Sequence, residues 1–228
     1  MVGNRSFNNT WKYKKKYSKS FQNIEIMKIK ICGLNPARDV QLCIDLKVNY
    51  LGFVFYKKSP RNVRLQDINK LLDYQKRNSV YVAVTVNPND EFIKKNLIGI
   101  FDYIQLHGSE TRERISEIKS MGLKIIKTIK VSQEQDINKH RQFDNADIIL
   151  FDTPSMEKSS EFPKELISKL PKGEKYALAG SISENNIENI SKLGVNFFDL
   201  SSSLESQLGY KDHLKIKSFV SKINELKN

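Results

Sequence analysis

Between Lys28 and the C-terminus, eight short apolar runs alternate with eight amphipathic segments, and this alternation limits the available folds more than any single residue does. The runs, rich in Val, Ile, Leu or Phe, lie near 28–32, 50–55, 80–86, 103–106, 124–129, 147–151, 175–179 and 196–200. Helical patterns fall near 36–47, 65–77, 90–98, 110–121, 132–142, 163–170, 183–193 and 211–226. Asn35-Pro36 opens the first helix, Ser132 with Gln135 has the form of a capping box, and Gly122 and Gly194 fall where two helices should stop. Eight strand–helix units in about 200 residues predict a (β/α)₈ TIM barrel, a single α/β domain over residues 27–228. A doubly wound open sheet competes, because alternation alone does not say whether the sheet closes. No Gly-x-Gly-x-x-Gly follows the first strand, so no dinucleotide is expected.

Residues 1–26 differ from the rest. They are polar and aperiodic, carry six basic residues against Glu25, and are expected to form a disordered basic tail. Natural translation starting at Met27 is a further reading of the same boundary. The formal charge of +12 is therefore uneven, with +5 in the tail and +7 spread over the remaining helical segments. Such an excess suits an anionic small molecule as well as RNA. The competing non-enzymatic reading is a basic nucleic-acid-associated protein acting through the tail, although Trp11, Tyr13 and Tyr17 form no recognisable stacking motif. No apolar run approaches the roughly 20 residues of a membrane span. Two cysteines and three histidines lack the spacing of a disulfide framework or a zinc site. The expectation is a cytoplasmic protein with no metal, no cofactor, and no nucleic-acid or membrane partner.

In a parallel barrel the chemistry sits at the C-terminal ends of the strands. Those positions collect Cys32, Arg61 in the second loop, Asn87, His107, Thr128, Asp152, Gly180-Ser181 and Ser201-Ser202-Ser203. A thiolate is a competent base and a carboxylic acid in a dry pocket a competent acid, so Cys32 and Asp152, from the first and sixth strands, could act on opposite sides of one substrate. The turns after strands seven and eight are where barrels often hold phosphate through backbone N–H groups. Arg61 has the planar fork that clamps carboxylates. Each also has a plain reading: a small core thiol, a loop carboxylate, an ordinary turn, an exposed arginine. Cys43, inside a helical pattern, reads as core, and His140 and His213 receive no role.

The segments KICG, LGFVFYKKSPR, VAVTVN, IQLHGSE, ILFDT, LAG, FDLSS and GYKD, in that order, resemble phosphoribosylanthranilate isomerase of tryptophan biosynthesis. The resemblance covers nearly the whole chain except the tail. It implies a cofactor-free and metal-free (β/α)₈ enzyme, monomer or homodimer, acting on a small phosphorylated substrate. It implies an Amadori rearrangement with Cys32 as general base and Asp152 as general acid. By the same resemblance Arg61 goes with the anthranilate carboxylate, and His107 and Asp199 lie near the substrate. Gly180, Ser181, Ser202 and Ser203 fall at its phosphate turns. Another sugar-phosphate isomerase or epimerase is the nearest alternative, though a metal-dependent epimerase would want more strand-end histidines than His107. The chain departs from the family pattern in its last quarter. TPSMEKSSEFPKEL after Asp152 has no glycine, Gly180-Ser181 stands for Gly-Gly, and Ser201-Ser202-Ser203-Leu204-Glu205 stands for Ser-Ser-Gly-Val-Glu. Serine keeps the backbone N–H, so phosphate binding depends on whether those positions need positive φ.

Overall fold

The computed structural model describes residues 27–154 and 162–227. The tail expected over 1–26 lies outside these, as do residues 155–161 of the glycine-free loop.

The strands are β1 (Lys28–Cys32), β2 (Tyr50–Phe55), β3 (Val80–Thr85), β4 (Tyr103–Leu106), β5 (Lys124–Lys130), β6 (Ile148–Asp152), β7 (Tyr176–Leu178) and β8 (Phe197–Leu200). All pair in parallel with their neighbours, and β8 returns to β1 through Lys28↔Phe197, Ile29↔Phe198, Lys30↔Asp199 and Ile31↔Leu200. The sheet therefore closes, and the open doubly wound alternative falls.

Strand periodicity sorts the side chains into two apolar layers. In β3, Tyr81 and Ala83 join the layer between sheet and helices, while Val82 and Val84 point into the barrel. In β1, Ile29 and Ile31 face the helices. Lys30 and Cys32 take the interior side, where Cys32 packs against the inner cluster of Val54, Val84, Ile126, Leu150 and Phe197. Cys43 is fully buried in the outer layer, as its helical setting suggested, and burial pushes its thiol up to about 12.

The helices are α1 (Ala37–Asp45), α2 (Ile68–Leu71), α3 (Asp90–Asn96), α4 (Arg112–Ser120), α5 (Glu134–Ile137), α6 (Lys164–Ile167), α7 (Ile187–Ser191) and α8 (His213–Leu226). Asn89, Thr111 and Asp212 cap α3, α4 and α8 with side-chain oxygens that accept backbone N–H groups. Gly122 and Gly194 adopt φ of +100° and +82° after α4 and α7, the stop geometry their positions predicted. Several helices are shorter than expected. The 65–77 segment is a 3₁₀ turn, Leu65–Asp67, followed by one turn of α2, in which only Ile68 and Leu71 are buried. A local helical pattern without a longer stripe to bury does not sustain a helix in water. Likewise α5 passes into a 3₁₀ stretch, Asn138–Phe143, and α6 and α7 are reduced to their buried turns. The capping box expected at Ser132 and Gln135 is displaced by one residue: the Asp136 carboxylate accepts the N–H groups of Ser132 and Gln133. A charged carboxylate outcompetes the Gln135 side-chain amide for the Ser132 N–H.

One buried ion pair anchors the β3 and β4 ends. Lys127 Nζ lies 2.8 Å from Glu110 and donates to the Gly108 carbonyl, while Glu110 accepts from the N–H of Asn87. Lys127→Met would leave the Glu110 charge buried without its counter-ion, so urea denaturation should show a loss of about 3–5 kcal/mol. Lys192→Met, which removes the exposed partner of Glu188, should leave the midpoint unmoved.

Candidate active site

A cavity of about 460 Å³ opens at the C-terminal ends of the strands. Its wall gathers Cys32, Arg61, His107, Asp152 and Asp199 with Gly180, Ser181, Ser202 and Ser203, so the residues that the family resemblance assigns to the site line one space. Asn87 and Thr128 do not line it. Asn87 ties down the loop after β4 by accepting the Ser109 N–H, and Thr128 accepts from Gln105 beneath the cavity floor.

Cys32 ends β1 opposite Gly52 of β2. A Cβ at Gly52 would stand 3.1 Å from Cys32 Sγ and 3.2 Å from Lys30 Cε, so glycine is what lets the thiol and the lysine stem share that corner. Gly33, at φ +80°, then turns the chain away, and a Cβ there would meet Arg61 Cδ at 2.5 Å. Below the thiol, Lys30 Nζ pairs with Asp199 Oδ2 at 2.8 Å, and the lysine is 1% exposed. Burial works against the ammonium, but Asp199 and Cys32 outweigh it and hold the pKa of Lys30 above its ordinary value. Burial pushes the Cys32 thiol up, opposed by Lys30 and Lys211. The carboxyl of Asp199 is likewise raised by burial against the pull of Lys30.

Across the cavity, Asp152 Oδ2 lies 3.3 Å from His107 Nε2, and Oδ1 accepts the N–H of Thr153. That separation is within hydrogen-bond reach, with the donor set by the imidazole tautomer. Two further acceptors, Asp199 Oδ1 and Gln105 Oε1, are buried without a hydrogen-bond partner among the described residues, and both residues line the cavity. Such atoms are expensive to bury unless a ligand's donors meet them.

Arg61 is engaged differently from the sequence expectation of a fork facing a ligand. Its Nε and Nη2 grip Glu205 at 2.6 and 2.8 Å, leaving only the remaining donors for a substrate. Glu205 begins a hairpin that sequence reasoning missed, β9 (Glu205–Gln207) and β10 (Tyr210–Lys211). Its carboxylate also takes Lys211 Nζ at 2.9 Å, and its carbonyl accepts from Lys215. Burial alone would raise the Glu205 carboxyl, but Arg61 and Lys211 hold it below the usual range. Lys30 and Glu205 are charged residues of this corner that the sequence reading does not single out. The one available signal is a lysine two residues before Cys32, on the same face of the strand KIKIC.

The loop after β7 resolves one departure noted in the sequence. Gly180 sits at φ +101°, against Thr153, and Ser181 at φ +49° is also left-handed. Asn186 locks the loop by donating to the Ser181 carbonyl and accepting the Ser183 N–H. Ser203, by contrast, belongs to a 3₁₀ turn, Ser202–Leu204, that suits any residue. A non-glycine in the left-handed region costs about 1–2 kcal/mol. Ser181→Gly, after allowing for the added freedom of the unfolded chain, should raise stability by up to about 1 kcal/mol in thermal unfolding.

The chain matches the family model for N-(5'phosphoribosyl)anthranilate (PRA) isomerase over residues 29–222. It is 32% identical over 208 residues to an N-(5'-phosphoribosyl)anthranilate isomerase from Thermoanaerobacter pseudethanolicus, covering 89% of this chain and all of the relative. A relative of the same name from Petrotoga mobilis is 35% identical over 214 residues, covering 89% and 99%. The crystal structure of phosphoribosyl anthranilate isomerase from Thermotoga maritima superimposes with a TM-score of 0.79 at 26% identity, covering 88% of this chain and all of that one. A phosphoribosyl anthranilate isomerase solved in complex with reduced 1-(o-carboxyphenylamino)-1-deoxyribulose 5-phosphate gives a TM-score of 0.76 at the same identity and coverage. The motifs, the closed barrel and these relatives agree: the chain belongs to the N-(5'-phosphoribosyl)anthranilate isomerase family.

Proposed function

We propose that this protein converts N-(5-phosphoribosyl)anthranilate to 1-(o-carboxyphenylamino)-1-deoxyribulose 5-phosphate, an isomerase step of tryptophan biosynthesis, with Asp152 as general acid and Cys32 as general base. The observation that carries this assignment is the placement of a thiol and a carboxyl in one cavity, β1 supplying the first and β6 the second.

Asp152, beside the His107 ring, donates a proton to the ribose ring oxygen. The bond from that oxygen to the first sugar carbon breaks, and the anthranilate nitrogen takes up the positive charge as an iminium. The Cys32 thiolate removes the proton from the second sugar carbon, and the C–H electrons form a double bond that neutralises the iminium. The resulting enolamine tautomerises to the ketone, its hydroxyl proton being lost and a proton gained at the first carbon. The orphaned acceptors Asp199 Oδ1 and Gln105 Oε1 suit sugar hydroxyls. Val54, Tyr56 and Val84 form an apolar wall suited to the aryl ring, and Arg61 keeps part of its guanidinium for the anthranilate carboxylate. Backbone N–H groups around Gly180, Ser181, Ser202 and Ser203 face the phosphate end. The reading includes a monomer or homodimer in the cytoplasm; no helix among the described residues is long and apolar enough to cross a membrane.

Loss of anthranilate-type fluorescence in an assay on the purified protein should follow turnover. Cys32→Ala and Asp152→Asn should each lower kcat by about 10²–10⁴-fold, the usual worth of a positioned acid or base. Full turnover by either variant, or none by the wild type, overturns the assignment. Because burial raises the thiol, only a minority of it is thiolate at neutral pH. The ascending limb of kcat/KM should therefore climb about tenfold per pH unit until Cys32 ionises, above the ordinary thiol range.

A further inference from the structure

A lysine inside a barrel calls for an explanation that stability does not supply. Removing an ammonium and a carboxylate from water costs several kcal/mol each, and a well-packed apolar pair at such a site is often as stable or more so. Lys30 and Asp199 nevertheless occupy opposed positions of the β1–β8 ladder, nearly fully buried and 2.8 Å apart. Lys30 stands two residues before Cys32 on the same face of β1, and both side chains crowd the space over Gly52. An ammonium carries three donors and Asp199 Oδ2 takes one of them. The geometry points to Lys30 as a positioning residue that Asp199 and Cys32 compete for: it is the counter-ion that the thiolate acquires on ionising. This inference rests on Cys32 being the base.

The competition has a signature. Lys30 favours the thiolate and Asp199 opposes it, so the two halves of one ion pair should move the thiol in opposite directions. An ion pair with a purely structural role, when broken from either side, loosens the same corner and moves the thiol the same way. The other charged groups around Cys32 are Lys211 of β10, which also favours the thiolate, and Arg61 of the second loop, and these two cations share the single carboxylate of Glu205 of β9. Asp152 and His107 face Asp199 from the far side. The thiol proton leaves to solvent through the open cavity, and Lys30 stays protonated throughout.

The test is the rate of iodoacetamide alkylation of the intact protein against pH, without substrate. Peptide mass analysis separates Cys32 from Cys43, which is fully buried. Lys30→Met should slow Cys32 alkylation at a fixed pH below the midpoint by about tenfold or more, since the thiolate fraction falls tenfold per unit of upward shift. Asp199→Asn should speed it several-fold, and Lys30→Arg should restore a rate near that of the wild type. Alkylation slowed by both Lys30→Met and Asp199→Asn, or a profile that neither moves, overturns the inference. If Lys30→Met does not fold, the sign of the Asp199→Asn effect decides alone. Turnover is measured alongside. Opposite shifts with a fully active Cys32→Ala would show the Lys30–thiol coupling but remove the base assignment and with it the coupling's role in turnover; a Cys32-dependent turnover with no opposite shifts would overturn the inference and keep the base assignment.

Discussion

The closing ladder between β1 and β8 is the constraint on which the rest of the molecule depends. Until it forms, the sheet has two edges and the strand ends have no common mouth. Its register sets Lys30 opposite Asp199 and Ile31 opposite Leu200, so the hydrogen bonds that shut the barrel also bring a lysine and an aspartate together from the two ends of the chain. Cys32 follows as the last residue of the same strand. The barrel's closing seam and this buried ion pair are therefore one structure.

From that seam the site is built outward by charge. Glu205, at the start of the β9–β10 hairpin, satisfies Arg61, Lys211 and, through its carbonyl, Lys215. This single residue fastens the loop after β2, the hairpin and the start of α8 to each other. On the far side Lys127 and Glu110 do the same for the loops after β3 and β4, and so seat His107 beside Asp152. Both anchors are charged and buried, which makes each costly to break from one side. Asp152 and Cys32, the proposed acid and base, stand at strand ends, and the charged groups behind them hold the loops.

Much of this was legible in the residues, for a physical reason. Strand and helix periods are local, so eight units could be counted, and the residues ending the apolar runs, Cys32 and Asp152 among them, could be read as cavity-facing. The helix lengths were less legible, because a local pattern does not reveal how much of it finds a surface to bury against, as the single turn of α2 shows. Lys30–Asp199 and Arg61–Glu205 were out of reach, since their partners lie 169 and 144 residues apart and meet only through closure. The left-handed backbone at Ser181 is likewise invisible in a serine, although the glycine expected there by family resemblance pointed to it.

Gly33 and Gly52 bear on how such a site is mapped by experiment. Each lies where one more carbon would strike a neighbour, Arg61 at the first and Cys32 with Lys30 at the second. Surveys that truncate residues to alanine are designed to delete atoms, yet at these two positions alanine adds one. They would register as intolerant positions with no contact to explain them. The thiol and the guanidinium thus owe their shared corner to clearances that no list of interactions contains.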